Sequence, residues 1–401
     1  MKQSGKPVVM IFSDYYLPGY MSGGGMRTIV NMVDRLGHKY DFRIVTRDHD
    51  GKADHKPYPD VDIDAWNSVG GASVYYLSRS EIRVRTLRKL IREVSPTIIY
   101  TNSLLSTLAI YVLKLRKLGR IDDCPFVIAP CGELSTGALE LKRSKKKIFF
   151  KYAKLIKLYR NIIWKASSDL EADEVRMLNP SNATVLVAPD LPPNELFREY
   201  RPELKPGKIK GEARLVFVSR FEPKKNMNWV LPILGGLTGK VRLDIAGPIQ
   251  DWEYYKETRT LVADLPENIE VNVIGPVPHE DVCPTMAGYH FFLCPTLGEN
   301  FGHIFLEAMA AGCPLLISDR TPWKELRKKG IGWEISLEQP DRWAAILQEC
   351  IDMENEEYRV MSSASRIFVT EWLKKSGLEE QTESVLDHAI EMASSGSSVS
   401  A

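Results

Sequence analysis

A chain of 401 residues exceeds what one hydrophobic core usually organises, so two domains are expected. A hydrophobic share of 44% beside 26% charged residues describes a soluble globular protein, and a net charge of +1 argues against a nucleic-acid partner. Six scattered cysteines (124, 131, 283, 294, 313 and 350) without a C-x-x-C pair argue against a zinc site and a disulfide framework, and fit a reducing cytoplasm.

The first apolar run, residues 8–12, is too short for a signal peptide and reads as a β-strand. No apolar stretch approaches the roughly 20 residues of a membrane span. The expected protein is soluble, or at most lies on a membrane surface. Further buried strands are read at 42–46, 73–77, 97–100, 126–130 and 184–189, with helical patterns between them that stop at glycines. Residues 196–212, polar and rich in Pro, Lys and Glu, read as a linker. Strands then resume at 214–219, 241–247, 269–275, 290–295 and 314–318. Strand and helix in alternation imply parallel sheets covered on both faces. The expected fold is therefore α/β, with two doubly wound Rossmann-like domains in series at 1–195 and 213–365. A helical segment at 366–392 should pack back toward the N-terminal domain, and 393–401 should be a disordered tail.

In such sheets ligands gather beyond the C-terminal strand ends, where glycine-rich turns feed helix N-termini. After the first strand, Ser22 to Gly25 form a three-glycine turn with Arg27 just inside the helix. Free N–H groups at Gly24 and Gly25 would suit phosphate, with a flexible turn as the alternative. After the 214–219 strand, Arg220 and Lys225 bracket a loop and could clamp a diphosphate without metal, unless the loop is merely solvated. The third loop is "GENFGHIFLEAMAAGCPLLIS". Glu299 precedes the turn, Gly302, His303 and Ile304 offer helix N-terminal N–H groups, and Glu307 lies about one turn inside. Two unrelated surface acids would be the plainer reading. Asp60, Asp62 and Asp64 sit in a Pro-rich stretch that reads as a solvated loop, no histidine pair stands four apart, and no metal site is expected. A G-x-S-x-G nucleophile elbow is also missing.

Residues 142–165 carry ten Lys or Arg and no acid. Ile148, Phe149, Tyr152, Leu155, Ile156, Tyr159 and Ile163 recur there at helical spacing. A basic amphipathic helix of this kind suits an anionic membrane surface. The same aromatics could instead face the core.

With these loops in hand, the chain resembles the GT4 family of GT-B glycosyltransferases over nearly its whole length. Glu299 and Glu307 match the family's E-x7-E motif, and Arg220 and Lys225 match its phosphate-binding pair. "APCGELSTGALELK" and "LPGYMSGGGMRTI" resemble a bacterial subgroup with P-R-G-E-L-S-x-G-A-L, linked to O-antigen, lipopolysaccharide, capsule or exopolysaccharide assembly. The resemblance implies a GT-B architecture, two domains facing across a cleft, and metal-independent retaining transfer without a cofactor. Glu299 would contact the donor sugar, and Asn300, Phe301, Gly302, His303 and Ile304 would hold sugar or phosphate. Glu307 would bind the ribose, and Gly275 would stand near the base. Arg220 and Lys225 would stabilise the departing nucleotide diphosphate, helped by Gly24 and Gly25. Many members carry a histidine where Cys131 stands. Asn102, Gly132, Glu133 and Arg27 complete that acceptor or donor-sugar loop. Either the histidine contact is dispensable, Glu133 or Asn102 substitutes for it, or activity is low.

The expected function is thus transfer of a sugar from a nucleotide-diphosphate donor to a lipid-linked or growing glycan. The setting would be the cytoplasmic side of the inner membrane, reached peripherally through the basic helix. A GT-B nucleotide-sugar epimerase and a non-catalytic nucleotide-sugar-binding scaffold are the competing readings.

Overall fold

The computed structural model describes residues 5–397 apart from 22, 52–55, 141–142, 179–182, 195 and 197–203. The side chains of 136, 140, 143 and 393–397 are also outside the description. Ser22, Lys142, part of the expected linker and the last four residues of the tail therefore lie outside the described residues. The chain divides into two compact units, residues 1–194 with 377–401, and residues 195–376.

In chain order the first unit runs β1 (Val8–Phe12), α1 (Gly24–Leu36), β2 (Asp41–Arg47), β3 (Trp66–Val69) and β4 (Ala72–Leu77). It continues with α2 (Val84–Val94), β5 (Ile98–Thr101), α3 (Thr107–Lys117), β6 (Phe126–Ile128) and α4 (Thr136–Glu140). Then come α5 (Arg143–Leu155), β7 (Ile163–Ala166), α6 (Asp169–Leu178) and β8 (Thr184–Val187). Its eight strands lie in the order β3-β4-β2-β1-β5-β6-β7-β8, all parallel except the β3–β4 pair. Strands such as β1 and β5 are apolar along both faces because helices cover both, so Met10, Phe12, Ile99 and Leu108 meet in one core.

The second unit runs β9 (Glu212–Val218), α7 (Met227–Gly235), β10 (Lys240–Ala246), α8 (Trp252–Ala263), β11 (Ile269–Gly275) and α9 (His279–Ala287). It ends with β12 (Phe291–Cys294), α10 (His303–Ala310), β13 (Leu315–Ser318), β14 (Gly332–Ile335), α11 (Pro340–Asp352) and α12 (Asn355–Lys375). The order β11-β10-β9-β12-β13-β14 is the doubly wound 3-2-1-4-5-6 arrangement, fully parallel. Both units are Rossmann-like, as expected.

Three features depart from the sequence reading. The 142–165 segment is not one helix: α5 ends at Leu155, Lys157 and Asn161 take positive φ, and Ile163 to Ala166 form β7. The apolar run around Trp164, which is fully buried, wins a place in the sheet that helical spacing could not reveal. Residues 204–212 are not a free linker. The Lys205 ammonium, for example, donates to Tyr289 O (2.7 Å) and Ala311 O (3.1 Å), and Lys208 to Ile351 O (2.8 Å). Ala311 caps the C-terminus of α10, where exposed carbonyls and the helix dipole favour a cation.

The third departure is at the C-terminus. Residues 366–375 complete α12, and the break falls at Ser376–Gly377. The last helix, α13 (Leu378–Ser397), belongs to the first unit and packs on α1 and β5. Arg35 pairs with Glu379, Lys39 with Glu383, and the Tyr40 hydroxyl donates to Asp387 at 2.7 Å. Its backbone stays helical through 393–397, where disorder was expected, since each added residue needs only one more hydrogen bond to propagate the helix.

Candidate functional site

The switch point of the second sheet lies between β9 and β12, whose C-terminal ends carry the 219–226 and 295–302 loops. These are the loops of Arg220, Lys225 and Glu299. Backbone contacts dock one loop on the other: Leu297 N donates to Lys224 O at 2.8 Å, and Thr296 Oγ1 to the same carbonyl at 3.3 Å. Ser318 Oγ, at the end of β13, fixes Thr296 O at 2.6 Å. The result places Lys225 Nζ 2.5 Å from Glu299 Oε2, both side chains nearly enclosed.

Burial alone would raise the Glu299 carboxyl. The ammonium groups of Lys225 and Lys224, the hydrogen bond from Lys225 and the Arg220 guanidinium outweigh it and hold the pKa below its ordinary value. Burial likewise pulls Lys225 down, and Glu299 more than compensates, leaving it raised. Lys224, mainly through burial, is lowered. The site therefore offers an ionised carboxylate, able to accept from sugar hydroxyls, beside a concentrated positive field. Arg220 completes that field. Its guanidinium is part-exposed, 3.1 Å from Glu222 and 3.3 Å from Gln250 Oε1.

Beyond Glu299 the chain turns at Gly302, which has φ 80° and caps α10. A Cβ there would stand 2.5 Å from Phe305, so only glycine lets the helix begin this close to its own side chain. His303 is buried beside Phe301. Phe301 itself is core, stacked among Trp323 and Trp372, with its carbonyl accepting from Trp323 Nε1 at 2.7 Å. Only its backbone is available to a ligand. Ile304 also packs against the core, and Asn300 is half-buried. Glu307 is 7% exposed, with His279 Nδ1 at 3.9 Å. Gly275 ends β11, and its carbonyl accepts from Gly247 N at 2.8 Å. The sequence reading did not include Lys224, Gln250 or His279. Lys224 and His279 stand at strand-end loops and a helix start, but nothing in their spacing aims them at the site.

The remaining candidates form a separate cluster at the first unit's own switch point, between β1 and β5. Gly24 and Gly25 open α1, whose N-cap is Gly23, and Arg27 N donates to Gly23 O. Asn102 Nδ2 donates to Gly25 O at 2.7 Å, and Asn102 Oδ1 accepts from Cys131 Sγ at 3.2 Å. Burial pushes the Cys131 thiol well up, so it stays protonated, which fits its not being a nucleophile. Gly132 N donates to Glu171 Oε1 at 2.6 Å, and Glu171 also holds Ser167.

Glu133, expected as one possible substitute for a sugar-contacting histidine, is held by its own chain. Its carboxylate caps the turn after β5, accepting from Ser103 Oγ, Leu104 N and Leu105 N at 2.6–2.9 Å. Those bonds fix its orientation, with Oε2 taking two of them and Oε1 one. Lys165, counted in the basic stretch, is instead buried in β7 and paired with Asp190, which also accepts from Thr28. Glu171, Asp190 and Lys165 thus form a buried polar support under these loops. Lys165→Met is expected to cost about 3–5 kcal/mol by leaving Asp190 buried without its cation. Urea unfolding measures it, and a loss below about 1 kcal/mol would mean that Asp190 finds its charge balance elsewhere.

Two Rossmann-like units with these strand orders give the chain the GT-B glycosyltransferase fold. Residues 201–368, which carry Arg220, Lys225, Glu299 and Glu307, match the family model described as glycosyl transferases group 1. No curated protein matches the chain significantly. Among solved structures it is similar to sucrose-phosphate synthase from Thermosynechococcus elongatus, at 15% identity and TM-score 0.73, covering 96% of this chain and 100% of that one. Anabaena HepE in complex with UDP and glucose gives 14% identity and TM-score 0.68, covering 95% and 100%. WaaG, a glycosyltransferase involved in lipopolysaccharide biosynthesis, gives 13% and 0.66, covering 95% and 99%. Among the described residues, no group of three or more His, Cys, Asp or Glu could hold a metal ion, and no helix is long and apolar enough to cross a membrane.

Proposed function

We propose that the protein is a retaining, metal-independent glycosyltransferase that moves a sugar from a nucleotide diphosphate to a lipid-linked or growing glycan in bacterial surface polysaccharide assembly. The observation that carries this reading is the Lys225–Glu299 pair with Arg220, at the switch point of a sheet inside the glycosyl transferases group 1 match. The bond from the anomeric carbon to the diphosphate oxygen would break while the acceptor hydroxyl attacks the same face. Its proton would pass to the leaving phosphate. Arg220 and Lys225 would neutralise that phosphate as negative charge builds on it. Glu299 would orient the sugar, and Glu307 would accept from the ribose hydroxyls, with the N–H groups at the start of α10 turned to sugar or phosphate. HepE bound to UDP and glucose supports a nucleotide-sugar donor. WaaG, a glycosyltransferase involved in lipopolysaccharide biosynthesis, supports the surface-polysaccharide setting. At an inner membrane face the cations of α5 would favour anionic lipid by about 1 kcal/mol each.

Thermal-shift screening against UDP, GDP, ADP, TDP and CMP, with EDTA present, tests the donor site, because a ligand of the folded state raises Tm. One clear stabiliser is expected, followed by slow hydrolysis of its sugar without acceptor. Binding without any turnover would point to the scaffold reading, and no shift at all would remove the donor site. Glu307→Ala is expected to weaken that nucleotide about 10–100-fold by titration calorimetry, through loss of a charge-assisted pair of hydrogen bonds. Unchanged affinity would exclude Glu307 as the ribose ligand.

A further inference from the structure

An open cavity of about 380 Å³ lies in the first unit between α4–α5 and α6. That is within the size range of small-molecule sites. Leu139, Phe150 and Leu178 make its apolar wall, and Phe150 and Leu178 rest on the core behind them. Lys147, Lys151 and Lys154 line it too, all three exposed. Among the described residues none of these three has an ion-pair partner. The α5 sequence, RSKKKIFFKYAKL, contains no acid that could supply one.

Further round the exposed side of α5, three large apolar side chains stand in the open at helical spacing. Ile148 is 69% exposed, Tyr152 59% and Leu155 79%. Met177, on the α6 side of the cavity, is 81% exposed. An apolar wall asks for hydrocarbon, cations without an ion pair ask for an anion, and an apolar stripe on the same helix asks for a non-aqueous surface. A small soluble anion would satisfy the cations and leave the wall and stripe wet. A neutral lipid would leave the cations without a role.

We propose that this cavity receives one hydrocarbon chain of a phosphate-headed lipid, whose headgroup the α5 lysines hold while Ile148, Tyr152 and Leu155 enter the bilayer surface. This deepens the membrane reading given above and rests on it. It replaces the continuous 142–165 helix by a defined site on a shorter one. Lys146 stands apart from the headgroup set, because its ammonium donates to Ala138 O and ties α5 to α4.

The test is flotation of the full chain with phosphatidylcholine vesicles, with and without phosphatidic acid. A phosphatidic acid carrying a photoreactive group in its chain supplies the second readout, with crosslinked peptides read by mass spectrometry. Tighter binding by at least about tenfold with phosphatidic acid is expected, together with crosslinks on α5 or α6. The triple variant Lys147→Glu, Lys151→Glu, Lys154→Glu touches only exposed positions and should lose roughly a hundredfold in vesicle binding. Its nucleotide-induced thermal shift should equal that of the unmodified chain. Met177→Glu, also exposed, should reduce chain crosslinking while preserving the fold.

Equal binding to both vesicles, crosslinks confined to other elements, or full binding by the triple variant would each overturn the site. Displacement by inorganic phosphate alone would reduce it to an anion patch, and displacement by an acidic peptide would make it a protein interface; both contradict the lipid. A nucleotide shift without lipid binding defeats this site and leaves the transferase standing. Lipid binding without any nucleotide shift does the reverse.

Discussion

Replacing Lys225 by methionine should cost the fold about 3–5 kcal/mol and abolish turnover. The variant keeps most of the buried volume but removes the ammonium 2.5 Å from Glu299. The carboxylate then remains enclosed with its main counter-charge gone, and breaking one side of a buried pair carries that penalty. The pH dependence fixes the sign. Glu299 titrates below its ordinary 4.5, so its contribution is intact above that value and disappears as pH falls through the lower folded pKa. Lys225 titrates above its ordinary 10.5, so its contribution is intact below that value and disappears as pH rises through the higher one.

In Lys225→Met, the Glu299 carboxyl should rise, and part of the lost stability should return at acid pH as the group protonates. The double variant Lys225→Met with Glu299→Gln carries neither charge and should recover most of the stability at neutral pH. If Lys225 holds the donor phosphate as proposed, the double variant's donor affinity should stay about 10–100-fold weak. Urea unfolding from pH 4 to pH 8, beside nucleotide titration, measures both. A double variant that regains donor affinity would remove Lys225 from the phosphate site.

The second large effect is expected at Gly247, just beyond β10. Its φ is 143°, and a Cβ there would lie 1.9 Å from Ser219 O and 2.6 Å from Ser219 C. These are backbone atoms at the end of β9, immediately before Arg220, so they cannot yield as a side chain end would. The register of β10 on β11 shifts just before it, between Ile245 and Ala246. Gly247→Ala should therefore destabilise by more than about 3 kcal/mol, and should displace the loop that aims Arg220. Gly211→Ala is the control. Gly211 also has positive φ, 82°, but an open environment, so it should cost only the backbone term of about 1–2 kcal/mol. Similar losses at the two positions, read by thermal unfolding, would show that φ rather than the Ser219 contact governs Gly247.

Much of this arrangement is legible without coordinates. Runs such as "PVVMIF" and "RLVFVS" are apolar on both faces, which only a strand covered by helices on both sides explains, so two parallel sheets followed from local pattern. The eight-residue interval from Glu299 to Glu307 across a glycine turn likewise marked a strand-end loop feeding a helix start, because strand, turn and helix start are all short-range features. Strands β3, β7 and β14 escaped the same reading. Two are short and half-polar, and β7 stands inside a basic stretch whose apolar spacing imitates a helix.

The sequence by itself determined the alternation of elements, the turns that need glycine and the chemical types at the strand ends. Tertiary structure decided which of those types meet. Lys225 and Glu299 are far apart in the chain, and only the 3-2-1-4-5-6 order sets β9 beside β12 and docks the 224 carbonyl on the 297 amide. It likewise turned Glu133 inward onto Leu104 and Leu105, and buried Lys165 against Asp190 rather than leaving it on a basic face. The reason is the range of the forces: propensity and turn geometry act over a few residues, whereas sheet order and the charge balance of an enclosed group depend on neighbours that folding alone supplies.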